Sequence, residues 1–416
     1  MTGPLWGTLP DGWMAGQVKN AATVTLGKML QSKDSGSDVR APYMRAANVQ
    51  PDGVLALEDV KEMWFGDAEL EQLSIRAGDV VVVEGGQGGF GRAAYVDEDL
   101  PGWGFQNSIN RLRPIRDFDG RFIAFYLIAL RGSGFIRAYS NVVSMPHLTA
   151  EKLARIPMPL PPREEQRAIA DYLDRETTRV DTLIEEQQRL IGMLRERRRA
   201  VISSALAPTD SWVRRRIKHI GETSLGKMLD AGRAVRDGDQ PRPYVRAADV
   251  RADGSVNLVD LNEMPFSDAE MEVFDLRAGD VLLIEGGATV GRPGFMFESA
   301  PGIAFQKTVN RLRVGSQADA RFVYWSMLRL YESAYYAKHY GSVSFVHLTG
   351  EKLREIELHL PPLDEQRAIA VYLDERTAKI DALSAETERF IELARERRAA
   401  LITAAVTGQI DVWEMA

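Results

Sequence analysis

The sequence predicts an α+β protein with two similar strand-rich globular domains separated by a pair of long antiparallel coiled-coil helices. An internal repeat carries this prediction, because LPPREEQRAIADYLD at Leu160 returns as LPPLDEQRAIAVYLD at Leu360, and Gln166 returns as Gln366 after 200 residues. Solenoid repeats have periods of roughly 20–50 residues, so this spacing indicates a duplicated domain pair, which commonly carries two similar binding surfaces. In each copy, strand-like segments precede one long helical segment.

The globular domains are predicted from short apolar runs bounded by turn residues. Within residues 13–157, the run DVVVVE at 79–84 ends at Gly85 and Gly86, and residues 212–358 repeat this pattern. β-branched runs that end at glycines are typical of strands. Each half is therefore expected to contain a mixed, strand-rich domain.

A long helix is predicted after each Pro-Pro pair, beginning near Arg163 and near Leu363 and ending before Pro208 and at Gly408. Proline suits the first turn of a helix because the first amides lack an intrahelical partner. Apolar residues recur at spacings of four and three, namely Ile169, Leu173, Val180, Leu183, Leu190, Leu194 and Val201, then Ile369, Leu373, Ile380, Leu383, Phe390, Ala394 and Leu401. Polar residues interrupt both series at matched places, namely Glu176, Gln187 and Arg197, then Arg376, Thr387 and Arg397. This period predicts a coiled-coil seam whose polar positions fix one register between the two helices.

The predicted boundaries are 1–159 and 208–359 for the globular domains, and 160–207 and 360–416 for the helices with the C-terminal tail. A helix of roughly 43 residues is about 65 Å long at ~1.5 Å per residue. Paired antiparallel, two such helices would form a rigid rod between the domains.

Composition excludes several classes of protein. The 416 residues are 45% apolar and 27% charged, with no cysteine and five histidines, which excludes disulfides and thiolate metal sites and argues against a zinc centre. No run approaches the ~18 apolar residues of a membrane span, and the N-terminus lacks a signal-peptide pattern, so a cytoplasmic protein without membrane contact is expected. The net charge of −7 means that any nucleic-acid binding would use local basic patches.

Three segments match enzyme motifs by letters, and none supports a catalytic centre. Residues 86–91 (GQGGFG) fit a dinucleotide fingerprint, but the turn-rich residues 94–104 cannot supply the helix that binds the pyrophosphate. Residues 221–228 (GETSLGKM) resemble a phosphate-binding loop, but Met228 stands where a hydroxyl would hold magnesium. Asp52, Asp59 and Lys61 resemble a nuclease cluster, but the repeat has Asn262 at the lysine position. No catalytic residue, metal site or bound cofactor is therefore predicted for this chain.

Matched polar residues cluster in two segments of each globular domain and beside the glycine loop. Arginine and amide side chains read base edges, while further Arg and Lys hold phosphates. For each residue the alternative is one solvated face of a strand, and this alternative stays open. The candidate DNA-binding residues are Arg45, Arg92, Gln106, Asn107, Arg111 and Arg113, then Arg246, Arg292, Gln306, Lys307, Arg311 and Arg313.

Two strand-rich domains, each followed by L-P-P-x-x-E-Q and a long Glu/Arg-rich helix, resemble the specificity subunits of type I restriction-modification systems. The resemblance runs from Trp13 to Asp411 and includes the ending TGQID at 407–411. It implies a noncatalytic DNA-specificity subunit in which residues 13–157 and 212–358 are target-recognition domains, each reading half of a bipartite DNA target. The helices would space the domains, and half-sites about one helical turn (~34 Å) apart would suit that spacing.

The resemblance also implies partners and cofactors. The partners would be double-stranded DNA, two modification (methyltransferase) subunits, and restriction subunits with translocase and nuclease activity. S-adenosylmethionine, ATP and Mg would bind to those subunits, and the complex would methylate adenine and restrict foreign DNA. Because Asn107 is replaced by Lys307 in the repeat, identical half-sites are not assumed.

Two alternatives remain open from the residues alone. One is a coiled-coil scaffold whose two similar domains bind protein or peptide partners. The other is a nucleotide-dependent enzyme that uses the glycine loops described above.

Overall fold

The computed structural model describes residues 3–86, 89–140, 147–228, 238–340 and 347–413. The chain divides into two compact units, residues 1–188 with 389–416 and residues 189–388. Each unit therefore contains one globular domain, the first part of one long helix and the last part of the other.

The elements of the first half are β1 (Met14–Gln17), α1 (Val18–Ala21), β2 (Ala22–Leu26), β3 (Val39–Met44), β4 (Lys61–Phe65), α2 (Asp67–Gln72), β5 (Val80–Val83), β6 (Ala93–Tyr95), β7 (Gly104–Phe105), β8 (Ile109–Pro114), α3 (Gly120–Gly132), α4 (Phe135–Tyr139), α5 (Ala150–Ala154), β9 (Pro157–Leu160) and α6 (Arg163–Ala205). Those of the second half are β10 (Val213–Arg216), β11 (Gly221–Leu225), β12 (Gln240–Val245), β13 (Asn262–Phe266), α7 (Asp268–Val273), β14 (Val281–Ile284), β15 (Pro293–Phe295), β16 (Ala304–Phe305), β17 (Val309–Val314), α8 (Ala320–Glu332), α9 (Tyr335–Tyr340), α10 (Gly350–Glu355), β18 (Glu357–Leu360) and α11 (Leu363–Val406).

A four-stranded antiparallel sheet, in the order β2-β8-β5-β6, forms the centre of the first domain. A three-stranded sheet, β4-β3-β7, and the pair β1-β9 complete it. All four valines of β5 are fully buried because Val80 and Val82 join the core around α3, while Val81 and Val83 join the core around β3 and β4. A strand covered on both faces is apolar throughout, which explains the run seen in the sequence.

The second domain repeats this topology strand for strand. Its sheets have the orders β11-β17-β14-β15 and β13-β12-β16, with the pair β10-β18. Val281 and Leu283 of β14 face the core around α8, and Leu282 and Ile284 face the opposite core. The predicted internal repeat and the α+β class are confirmed.

The repeated E-Q of the L-P-P-x-x-E-Q motif attaches each long helix to its domain. The Gln166 amide donates to Pro161 O (2.7 Å) and accepts from the backbone N–H of Asp119 (2.9 Å), the residue that caps α3. Glu165 accepts from Trp13 Nε1 (2.5 Å). In the second copy, Gln366 makes the same bonds to Pro361 O and to the backbone N–H of Asp319, and Glu365 accepts from Trp212 Nε1. The most recognisable motif of the sequence is therefore structural.

Both long helices begin at the predicted residues, and they pack antiparallel. In the first unit, Arg398 of α11 pairs with Asp181 of α6 (2.9 Å), while Ile402 shares a core with Leu173, so the numbering runs in opposite directions. In the second unit, Arg198 pairs with Asp381 (3.0 Å), and Ile202 shares a core with Leu373. Among the described residues, no helix has both the length and the apolarity of a membrane span.

The predicted seam is wrong by one position in the middle of α6, and in α11 two of its members, Leu383 and Phe390, are exposed while Ile391 is buried. Leu183 is 38% exposed, whereas Ile184 is buried. Likewise Arg197 is exposed, and Arg198 turns inward to its ion pair. Neighbouring apolar residues at 183 and 184 allow two registers of the same period, and the sequence pattern alone does not choose between them.

Candidate nucleic-acid interface

Several turns meet at one end of the central sheet in the first unit, where β2 ends opposite the start of β8. We name them turn cluster 1, which comprises residues 27–28, 45–48, 84–86, 106–108 and 147–148. Backbone N–H groups join neighbouring turns: Asn107 donates to Lys28 O (2.8 Å), and Glu84 donates to Ser108 O (2.8 Å). Leu148 in turn donates to Glu84 O (2.8 Å). Loop ends anchored to a sheet in this way present side chains in fixed positions.

A hydrogen-bond chain orients the amide of Gln106 within turn cluster 1. The backbone N–H of Ala46 donates to Ser108 Oγ (3.3 Å), which donates to Gln106 Oε1 (3.5 Å). With its carbonyl oxygen engaged, the amide keeps Nε2 as a donor. Purine N7 and guanine O6 accept from such donors in the major groove.

An acid–histidine pair closes the same cluster. His147 Nδ1 lies 2.9 Å from Glu84 Oε2. A Cβ at Gly85 would lie 2.9 Å from His147 Nδ1, so a side chain at position 85 would push the histidine away. The glycine that follows β5 is therefore required for this packing.

The second unit contains the matching turn cluster 2, which comprises residues 226–227, 246–249, 285–287, 306–308 and 347–348. Thr308 Oγ1 accepts from the backbone N–H of Ala247 (3.1 Å) and donates to Gln306 Oε1 (3.1 Å). His347 Nδ1 lies 3.1 Å from Glu285 Oε2. Threonine keeps the hydroxyl that serine supplies in the first copy, so the orientation of the glutamine is preserved.

The two clusters differ in positive charge. In turn cluster 1, Arg45 is mostly buried and pairs with Asp59, and Asn107 is half-buried and neutral. In turn cluster 2, the Arg246 side chain is 43% exposed and pairs with Asp249 (3.4 Å), and Lys307 is exposed. Both arginines are paired, so the second cluster differs from the first by a more exposed arginine and by a lysine in place of an amide.

Arg111 and Arg113 lie outside turn cluster 1, and both bind groups of the domain itself. Arg111 is 5% exposed and donates to Ser74 O (2.5 Å) and Gln72 O (3.1 Å). Burial, together with the charge of Arg113, lowers the pKa of Arg111 to about 10. Arg113 forms a bidentate pair with buried Asp79 (2.8 and 2.7 Å), and this hydrogen bonding raises the pKa of Arg113.

Arg311 and Arg313 repeat this arrangement. Arg311 is buried and donates to Val273 O (3.0 Å) and Asp275 O (2.7 Å), and burial lowers its pKa. Arg313 forms a bidentate pair with Asp280 (2.8 Å to each oxygen). Guanidinium groups with these internal partners do not present donors to a DNA groove, so we correct the expectation for Arg111, Arg113, Arg311 and Arg313 to a structural role. DNA contact by the other candidates stays a prediction.

Arg92 and Arg292 follow the glycine turns but lie outside the turn clusters. Arg92 Nη1 donates to Val49 O (3.4 Å), and the side chain faces a cavity described below. The Nε atoms of Arg92 and Arg292 are buried without a hydrogen-bond partner among the described residues.

The structure also shows what the three segments that resemble enzyme motifs form in this fold. Gly86 and Gly91 have φ of 106° and 71°, and strand β6 follows them instead of the helix that a dinucleotide would need; Gln87 and Gly88 lie outside the described residues. Lys227, in the segment that resembles a phosphate-binding loop, pairs with Glu270 (2.6 Å). Asp59, in the cluster that resembles a nuclease site, pairs with Arg45. Within the described ranges, no group of three or more His, Asp or Glu side chains could hold a metal ion.

Two copies of one domain, each with its own turn cluster, define a binding protein with a duplicated recognition domain. The family model of the type I restriction modification DNA specificity domain matches residues 10–191 and, separately, residues 209–392. The chain therefore belongs to this family.

Similarity to individual proteins agrees with the family. The chain is 26% identical over 296 residues to the EcoKI specificity subunit of Escherichia coli K12, covering 66% of this chain and 62% of that protein. It is 24% identical over 426 residues to the StySPI specificity subunit of Salmonella potsdam, covering 97% and 90%. The chain thus spans less than two thirds of the first relative and most of the second.

Solved structures show the same fold. A chain from a type I restriction-modification system aligns with a TM-score of 0.78 at 17% identity, over 97% of this chain and all of that one. The HsdS subunit of Thermoanaerobacter tengcongensis aligns with a TM-score of 0.56 at 18% identity, over 98% and 100%.

Proposed function

We propose that this chain is the noncatalytic specificity subunit of a type I restriction-modification complex, and that it reads a bipartite DNA target. The duplicated turn cluster is the observation that carries the proposal. Each cluster fixes one glutamine by a hydroxyl-mediated hydrogen-bond chain and holds a neighbouring arginine. One such cluster per domain suits one half-site per domain.

Within this proposal, Gln106 and Gln306 contact base edges through Nε2. Lys307 and Arg246 are the accessible cations of turn cluster 2, and they are assigned to phosphate or guanine contacts. Asn107 takes the place of Lys307 in turn cluster 1 and adds amide chemistry instead of charge. The two half-sites are therefore proposed to differ.

The partners are proposed from family membership. Two modification subunits would bind S-adenosylmethionine and methylate adenine, and restriction subunits would use ATP and Mg to translocate and cut DNA. The paired helices α6 and α11 would set the gap between half-sites. All of the chemistry would then belong to the partner subunits.

Reconstitution tests the proposal. The purified chain alone should transfer no methyl group from S-adenosylmethionine to DNA, whereas the chain with its cognate modification subunit should methylate adenine in a defined two-part sequence. Turnover of S-adenosylmethionine by the chain alone would refute the noncatalytic assignment.

Binding of DNA is a separate test that also addresses the scaffold alternative. Fluorescence anisotropy of the chain–modification subunit complex with duplex DNA should show affinity that falls steeply with salt, because phosphate contacts release counterions. Affinity that does not change with salt would favour a protein or peptide partner.

A further inference from the structure

A cavity of about 630 Å³ lies in the first unit between α3, the turn at Asp52, and the adjoining segments of α6 and α11. Its charged lining residues are Arg92, Arg131, Arg395, Arg398, Asp52 and Asp181, four cations against two carboxylates. Its apolar wall includes Ile128, Ile184 and Ile402. Cavities of about 300–1,000 Å³ with an apolar wall and a few polar groups are typical of small-molecule sites.

The two carboxylates are already engaged by one arginine. Arg398 is buried, and its Nε lies 2.9 Å from Asp181 Oδ1. Its terminal nitrogens lie 3.6 Å from Asp52 Oδ1 and 3.2 Å from Asp52 O. Arg131 Nε donates to the carbonyl oxygen of Phe90 (3.1 Å), a neutral group, so the cavity lining as a whole keeps a net positive charge.

Arg92 supplies the second observation. Its Nε is buried without a hydrogen-bond partner in the part of the chain that the structure describes, and its bond to Val49 O, at 3.4 Å, is long for an N–H donor. Arg131 lines the same cavity, and burial together with the charge of Arg92 lowers the pKa of Arg131. An anion between these side chains would satisfy the buried donor and offset the repulsion between like charges.

The second unit has an additional carboxylate at the corresponding place. There Glu332 stands at the position of Gly132, and its carboxylate pairs with Arg198 (3.2 Å), the counterpart of Arg398. Tyr331 stands at the position of Arg131. The six first-unit positions, with Gln50 and Gly132 added, correspond to Arg251, Arg292, Arg195 and Arg198 against Asp253, Asp381 and Glu332. The counts are four to three there and four to two in the first unit, so the excess of positive charge is larger in the first unit.

We propose that this cavity is a binding site for a small phosphate-bearing molecule of nucleotide size. The planar forks of Arg92 and Arg131 match the oxygens of a phosphate. The isoleucine wall provides an apolar surface for the rest of the molecule. The site is distinct from both turn clusters and does not depend on the chain reading DNA.

Isothermal titration calorimetry of the full chain with AMP, adenosine and inorganic phosphate tests the proposal. AMP is expected to bind, adenosine is expected not to bind, and phosphate is expected to compete with AMP. Gly132→Glu places the carboxylate of the second unit into the first, and a Cβ at Gly132 would meet no atom within 4 Å, so the variant should fold. It should weaken AMP binding by about tenfold or more, because it adds negative charge beside the anion.

Arg92→Gln provides a second variant with the same expected loss, and Glu332→Gln in the second unit is the matched control, which should bind AMP like the wild type. Equal binding of AMP and adenosine would overturn the proposal, as would AMP binding that both first-unit variants leave intact. No binding of AMP or phosphate at millimolar concentration would also overturn it. Displacement of AMP by a short non-target duplex would assign the arginines to the DNA backbone and overturn a small-molecule site.

Discussion

Replacement of Arg113 by glutamine should destabilise the first unit without changing which bases are recognised. The Asp79 side chain is 1% exposed and accepts from Arg113 Nε (2.8 Å), from Arg113 Nη2 (2.7 Å) and from the backbone N–H of Arg76. Truncating one member of a buried ion pair costs about 3–5 kcal/mol, because the other charge stays buried. The Arg113 side chain is 29% exposed, so water partly replaces it, and the lower end, about 3 kcal/mol, is expected.

Thermal unfolding of the full chain measures this effect. A loss of about 3 kcal/mol should lower the Tm of the first unit by roughly 6–12 °C, at about 2–4 °C per kcal/mol for this size of unit. Lys307→Ala is the contrasting variant, because Lys307 is exposed. Its stability should stay within about 0.5 kcal/mol of wild type, while its DNA affinity should fall and the salt slope should decrease by about one.

The opposite outcome would refute the structural role of Arg113. If Arg113→Gln unfolded like the wild type and relaxed the sequence preference at one base pair, the arginine would be a base-reading residue. Arg313→Gln, which removes the matching pair with Asp280, should give the same result in the second unit.

Three further predictions concern the helix anchor, the response to acid and the spacing. Gln166→Leu should destabilise the first unit by about 1–3 kcal/mol, since it leaves Asp119 N–H and Pro161 O unpaired; unchanged urea unfolding would contradict this. Burial raises the pKa of Asp275, but the stronger combined effect of hydrogen bonds and charges from Arg277 and Arg313 leaves it below the usual 3.8. The stabilisation by this carboxylate is therefore complete above about pH 4 and is lost as pH falls through the lowered pKa. Asp275→Asn should unfold more easily than wild type at pH 6, and this difference should shrink as the pH falls below about 4; a difference that does not shrink in acid would contradict the assignment. Insertion of seven residues into the middle of both α6 and α11 should lengthen the tolerated gap by about three base pairs, from ~1.5 Å per residue and ~3.4 Å per base pair, with the half-sites unchanged; methylation of the original spacing would exclude the helices as the spacer.

The elements that the sequence predicts correctly have strong local signals. Each Pro-Pro pair sets the start of a long helix, at Arg163 and at Leu363. The valine run between Asp79 and Glu84 forms β5, buried on both faces. These elements are determined by residues adjacent in sequence, so a single chain is sufficient to predict them.

The errors arise where distant residues decide. Arg111 and Arg113 alternate with apolar residues, as on the solvated face of a strand. The carbonyl oxygens of Gln72 and Ser74 nevertheless hold Arg111 in the interior, and the carboxylate of Asp79 holds Arg113 in an ion pair. The Glu84–His147 pair joins residues 63 positions apart. In the sequence, this pair is visible only because Glu84 and His147 are repeated as Glu285 and His347 in the second half. Repetition of two residues does not by itself show that they are in contact.

The most direct test of the central claim is a genome-wide map of methylated adenine in cells that carry this chain with its cognate subunits. The map should show one motif with two defined halves and a fixed gap. Exchange of Lys307 for asparagine should change or relax one half only, and exchange of Asn107 for lysine should affect only the other. A contiguous motif, methylation that does not require the chain, or a change in both halves from either exchange would contradict the account.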